Sequence, residues 1–92
     1  MEITQVRIQL RNEDRLKAFV SFTLDNQIAI HNAKVVQGRE KMLFCMPSRK
    51  MPDGKYLDIV HPISALARKK IEDVIFSAYN EEIKKITPVV AV

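Results

Sequence analysis

Cysteine is nearly absent from this 92-residue chain: Cys45 stands alone, so no intrachain disulfide can form. A secreted domain of this size usually needs such crosslinks, and their absence points to a reducing, cytoplasmic setting. Glycine is almost as scarce, with only Gly38 and Gly54. Neither GxGxxG nor GxxxxGK occurs, so glycine-rich loops that cradle phosphates are excluded. CxxC and HExxH are missing as well, and with them the commonest signatures of a resident metal. No apolar run approaches the ~20 residues of a membrane-spanning helix. The opening residues Met1-Glu2-Ile3-Thr4-Gln5-Val6-Arg7 alternate in polarity and include an early acid. That is not the apolar stretch of a signal peptide.

What is present suits one folded domain. Hydrophobic residues make up 47% and charged residues 28% of the chain, enough apolar surface for one modest core. Net charge is +4, unevenly spread: Lys34 to Lys70 holds nine basic and three acidic residues, a net of +6, and the remainder six and eight, a net of −2. The cationic excess in the middle of the chain is either a patch that attracts phosphates or a solvated surface of mixed charge.

Strand periodicity fills the front two-thirds. Val6, Ile8 and Leu10 alternate with Arg7 and Gln9, and Asn12-Glu13-Asp14 marks a turn. Leu16, Ala18, Val20, Phe22 and Leu24 alternate with polar residues up to Asp25-Asn26, the clearest half-buried strand. Residues 28–36 form a third strand, 42–46 a short apolar fourth that Pro47 ends, and 56–60 a fifth. Residues 48–54 read as a loop, with Pro52-Asp53-Gly54 its turn. Short connections favour an antiparallel meander.

The last third has helical periodicity. Ser64 is placed to cap a helix after Pro62, and Ala67, Ile71, Val74, Ile75 and Ala78 recur at helical spacing. Phe76, Tyr79 and Ile83 widen the apolar arc to roughly 200°, where covering a sheet needs about 100°. The surplus is expected to pack on the apolar tail 87–92 or on a second subunit. Pro88 ends the helix. The expected architecture is α+β: an antiparallel four- or five-stranded sheet with one C-terminal helix packed on it, residues 1–86 forming the domain.

Two basic clusters carry the chemistry. Arg68-Lys69-Lys70 sits in the first two helical turns, where the helix dipole favours anions and disfavours cations. Such a placement invites a ligand that brings negative charge. The bland reading pairs Arg68 with Glu72 and Lys69 with Asp73 at four-residue spacing, leaving Lys70 unpaired. Arg49-Lys50, with Lys55 past the turn, forms the second cluster, and the topology allows both clusters to share one end of the molecule. Catalysis has only His31, Cys45, Asp58 and His61 to draw on, and they form no recognised constellation. His61 suits a structural bond to Asp58 at the corner before the helix. Phe19 and Tyr56 are aromatic candidates for base stacking, though core or interface packing explains them as well.

Met46-Pro47-Ser48-Arg49-Lys50, Pro52-Asp53-Gly54 and Asp58-Ile59-Val60-His61-Pro62-Ile63 together resemble the central signature of the stage V sporulation protein G family. Leu24-Asp25, Ile30-His31-Asn32 and Lys34-Val35-Val36-Gln37-Gly38 fit the same pattern, so the resemblance spans residues 1–83. Met51 departs from the small polar residue common at its place, and 87–92 lie beyond the shared region. The resemblance implies a bacterial regulator that binds DNA, and in some members RNA, as a homodimer. It also implies links to septation, sporulation and virulence gene control. Its fold is an antiparallel sheet followed by a helix. Basic residues at the helix start contact DNA in the family, and these match Arg68 and Lys69, with Lys70 an added cation. Arg49 and Lys50 match its paired basic loop, while Asp58, His61 and Pro62 hold the corner. The expected protein is a dimeric DNA-binding regulator, not an enzyme, with no cofactor, small-molecule substrate or membrane partner. The alternative is a protein-interaction module using an edge strand or the wide helix face.

Overall fold

The structure is a computed structural model describing residues 1–11 and 13–86. Four strands form one antiparallel sheet in chain order: β1 (Ile3–Leu10), β2 (Leu16–Leu24), β3 (Ile28–Gln37) and β4 (Met42–Cys45). A separate antiparallel hairpin, β5 (Ser48–Lys50) with β6 (Tyr56–Asp58), follows, and α1 (Ala65–Ile86) comes last. The α+β architecture expected from the periodicity is what the chain adopts. The tail 87–92 and Asn12 of the first turn lie outside the described residues.

Pleat alternation puts Val6, Ile8 and Leu10 of β1 opposite Phe22, Val20 and Ala18 of β2. Those three in turn face Ile30, Ala33 and Val35 of β3. One face of the sheet is therefore apolar across three strands, and α1 lays Ile71, Ile75 and Tyr79 on it at i, i+4, i+8 spacing. Phe22 and Phe44 meet edge to face at 6.1 Å, the arrangement their ring quadrupoles favour. Phe22, Ile75, Val20 and Val35 are fully buried, each contributing about 1.5–3 kcal/mol of transfer free energy.

Two backbone features fix this register. Asp25 and Asn26 both have positive φ, 50° and 54°, as a two-residue turn matched to strand twist requires. In β3, His31 and Asn32 together oppose Ser21 alone, and Asn32 takes φ 66°. This bulge resets the alternation, so that the buried positions run Ile30, Ala33, Val35.

Two expectations are corrected. Residues 48–54 are not all loop, because Ser48–Lys50 pairs with Tyr56–Asp58, and only the intervening turn is irregular. The expected fifth strand over 56–60 stops at Asp58 and lies outside the main sheet. Pro47 lacks the N–H needed to continue β4, and its carbonyl instead accepts the Ile59 N–H at 2.8 Å, closing the hairpin's base. Part of the helix's apolar surplus is taken up by the sheet, where Tyr79 is buried and Phe76 and Ile83 pack partly buried against the core. The cap forms as expected, with Ser64 Oγ accepting the Ala67 N–H at 3.1 Å. No helix among the described residues is long and apolar enough to cross a membrane.

Candidate nucleic-acid interface

The first turn of α1 carries no acidic residue, so no side chain of that turn neutralises the positive end of its dipole. Arg68 and Lys69 are exposed there. Arg68 Nε lies 3.8 Å from Glu72 Oε2, and Lys69 Nζ lies 3.0 Å from Asp73 Oδ2. Exposed pairs of this kind contribute only ~0.3–0.5 kcal/mol, so an incoming phosphate can displace them. Lys70 behaves differently from the expectation that left it unpaired. Consecutive helical residues point about 100° apart, and its ammonium is turned back to donate to the Met1 carbonyl. Arg68 and Lys69 thus form the outward pair, and Lys70 ties the helix to the start of β1.

The second cluster stands on the hairpin. Arg49 and Lys50 belong to a strand, where pairing sets them opposite Leu57 and Tyr56. They project to opposite faces of the ribbon. Lys55 closes the turn: its N–H is accepted by Asp53 Oδ1 at 3.0 Å, and its carbonyl accepts the Met51 N–H at 2.7 Å. Gly54 takes φ 88° there, a conformation that disfavours a side chain. No hydrogen bond or ion pair among the described residues joins these hairpin cations to Arg68, Lys69 or Lys70.

The sheet face turned away from α1 holds cations that periodicity alone did not single out. Arg7 lies opposite Ser21, and Phe19 is flanked by Gln9 on one side and Lys34 on the other. Arg11 reaches over this face, its guanidinium 5.3 Å from the centroid of the half-buried Phe19 ring. One signal was available: the four strands of the sheet contain no aspartate or glutamate.

The residues weighed for catalysis lie on separate elements. His31 Nδ1 is 3.1 Å from Ser21 Oγ on β2, and Cys45 is partly buried at the end of β4. His61 bonds through Nδ1 to the Pro62 carbonyl at 3.1 Å rather than to Asp58. The corner bond expected between those two is therefore replaced by a local one that orients the turn into α1.

The SpoVG family model matches residues 1–81. A Finegoldia magna protein named "Putative septation protein SpoVG" is 52% identical over 86 residues, covering 92% of this chain and 80% of the relative. Its namesake in Bdellovibrio bacteriovorus is 46% identical over 86 residues, covering 94% and 80%. That of Clostridium beijerinckii is 43% identical over 86 residues, covering 92% and 94%.

Proposed function

The chain belongs to the SpoVG family, and from that premise we propose that it is a dimeric regulator that binds duplex DNA through the start of α1. The carrying observation is the exposed Arg68–Lys69 pair on a helix turn without a carboxylate, held only by weak ion pairs to Glu72 and Asp73. On binding, phosphate oxygens replace those carboxylates, and released counterions supply the affinity. Phosphate contacts position a protein without reading sequence, so any preference comes from Arg68 or Lys69 reaching base edges, or from DNA shape. Arg49, Lys50 and Lys55 add positive potential from the hairpin. The protein acts by binding, not catalysis. Septation, the process named for its relatives, is the role proposed for it in the cell.

The test is a salt titration of labelled duplex DNA, comparing wild type with Arg68→Ala/Lys69→Ala after folding is checked by circular dichroism. The expected result is a slope of log affinity against log salt shallower by about 1.8 for each subunit that engages the duplex, two phosphate contacts at ~0.9 each. Equal slopes and affinities would remove DNA from the helix start. RNA in the same titration decides which polymer is preferred.

A further inference from the structure

The face of the sheet turned away from α1 is a second surface, separate from the helix start. Three shallow hollows lie on it and share walls. The first is lined by Arg7, Arg11 and Phe19, the second shares Arg7 and Ser21 with it, and the third shares Phe19 and Asn32. They form one open groove that runs across the strands from Thr23 to Tyr56 of the hairpin. Lys34 lines the groove's hairpin end together with Tyr56, whose ring is 67% exposed. Lys50, directly opposite Tyr56, shares that hairpin face. Asp58, two residues from Tyr56 on the same side of the pleat, is the carboxylate that borders this end.

We infer that this groove binds single-stranded nucleic acid, with bases stacked on Phe19 and Tyr56 and phosphates held by Arg7, Arg11 and Lys34. Single-strand binding needs a cationic track and exposed aromatic faces together, and here both line one groove. A duplex keeps its base faces stacked inside, so the two rings offer it nothing. A second copy is the wrong occupant, because a two-fold contact would set this patch of cations against itself. A small ligand would need an enclosed hollow, and these are open. The Arg11 guanidinium lies over the Phe19 ring in the free protein and gives up that place to an incoming base, which leaves it at the rim to hold a phosphate. The site stands independently of the helix start and would remain if that reading failed.

The experiment measures labelled oligo(dT), oligo(U) and a duplex of equal length across a salt series. Arg7→Ala/Lys34→Ala should flatten the single-strand salt slope by about 1.4, two contacts at ~0.7 each. Tyr56→Ser and Phe19→Leu should each weaken single-strand binding at least about fivefold at fixed salt. Tyr56 is exposed and Phe19→Leu stays apolar, so neither change threatens the fold. Duplex affinity should change less than about twofold in all of them. The proposal is overturned if wild type binds neither single strand, or if the charge variant binds them as wild type does. Equal losses on single strand and duplex overturn it too, as does loss of self-association in the charge variant. Running Arg68→Ala/Lys69→Ala alongside separates the sites: unchanged duplex binding there rejects the helix-start reading and leaves the groove standing.

Discussion

Burial holds the Tyr79 phenol above its ordinary value of 10.0, because the phenolate would give up water that the core does not replace. The folded pKa is raised, so the stability it carries is fully present below the unfolded value and is lost as pH rises through the folded one. Above pH ~10 the unfolded chain has released a proton that the native chain still holds. Urea unfolding of wild type and Tyr79→Phe from pH 8 to 11 should show a constant stability gap up to about pH 10. Wild type should then lose ground to the variant. A flat gap throughout would mean the phenol is solvated in the native state. This residue also marks a limit of reading single positions. Periodicity placed Tyr79 beside the helix stripe, and the fold places it inside. A twisted sheet curves around a helix and takes up a wider arc than a flat one would.

At the scale of the element, the bulge in β3 decides which side chains reach the core. Asn32 holds φ 66°, a region open to asparagine and glycine but costly to a β-branched residue. Asn32→Val should lower stability by about 1–2 kcal/mol, and Asn32→Gly should stay close to wild type, both read from urea midpoints. Equal effects would mean the strand shifts its register to escape the strain. Elements with a signal of their own were legible: the alternation of β2, the Asp25-Asn26 turn and the Ser64 cap all lie where the residues put them. β5 was not, because Ser48-Arg49-Lys50 has no apolar face and becomes a strand only through its partner Tyr56–Asp58. The same reason divides the candidate site. Arg68 and Lys69 are neighbours in the chain and could be read there. Arg7, Phe19 and Lys34 share a face only through strand register, which no local pattern reveals, although the missing carboxylates were in plain view.

At the scale of the whole molecule, apolar side chains stay exposed around the start of α1. Ile59, Ile63 and Leu66, between β6 and the first turn of α1, are 67%, 93% and 82% exposed. Ile63 lines an apolar hollow whose walls also include Met1, Val60, Pro62 and Ala67, the last of these the chain neighbour of Leu66. Scattered exposed leucines are ordinary, but exposed apolar side chains on and next to the wall of an apolar hollow suit an interaction surface. The dimer proposed above would cover it, because an apolar patch is self-complementary about a two-fold axis where a charged one is not. Such a dimer would bring two copies of the α1 start toward the contact, since Arg68 and Lys69 are only two and three residues beyond Leu66. One DNA molecule could then engage both pairs, and each subunit's weak contacts would reinforce the other's. Ile63→Ser/Leu66→Ser should keep the monomer's circular dichroism, since neither side chain contributes to the core. It should raise the dimer dissociation constant at least about a hundredfold, each lost side chain being worth about tenfold or more. Sedimentation velocity over a concentration series reads this directly, and the DNA salt slope should fall to about half as the second set of contacts goes. If the variant stays dimeric, the subunits meet elsewhere, with the sheet's edge strands β1 and β4 the next candidates. If wild type is monomeric at every concentration, the patch belongs to a different protein, and the interaction-module reading takes the lead over DNA regulation.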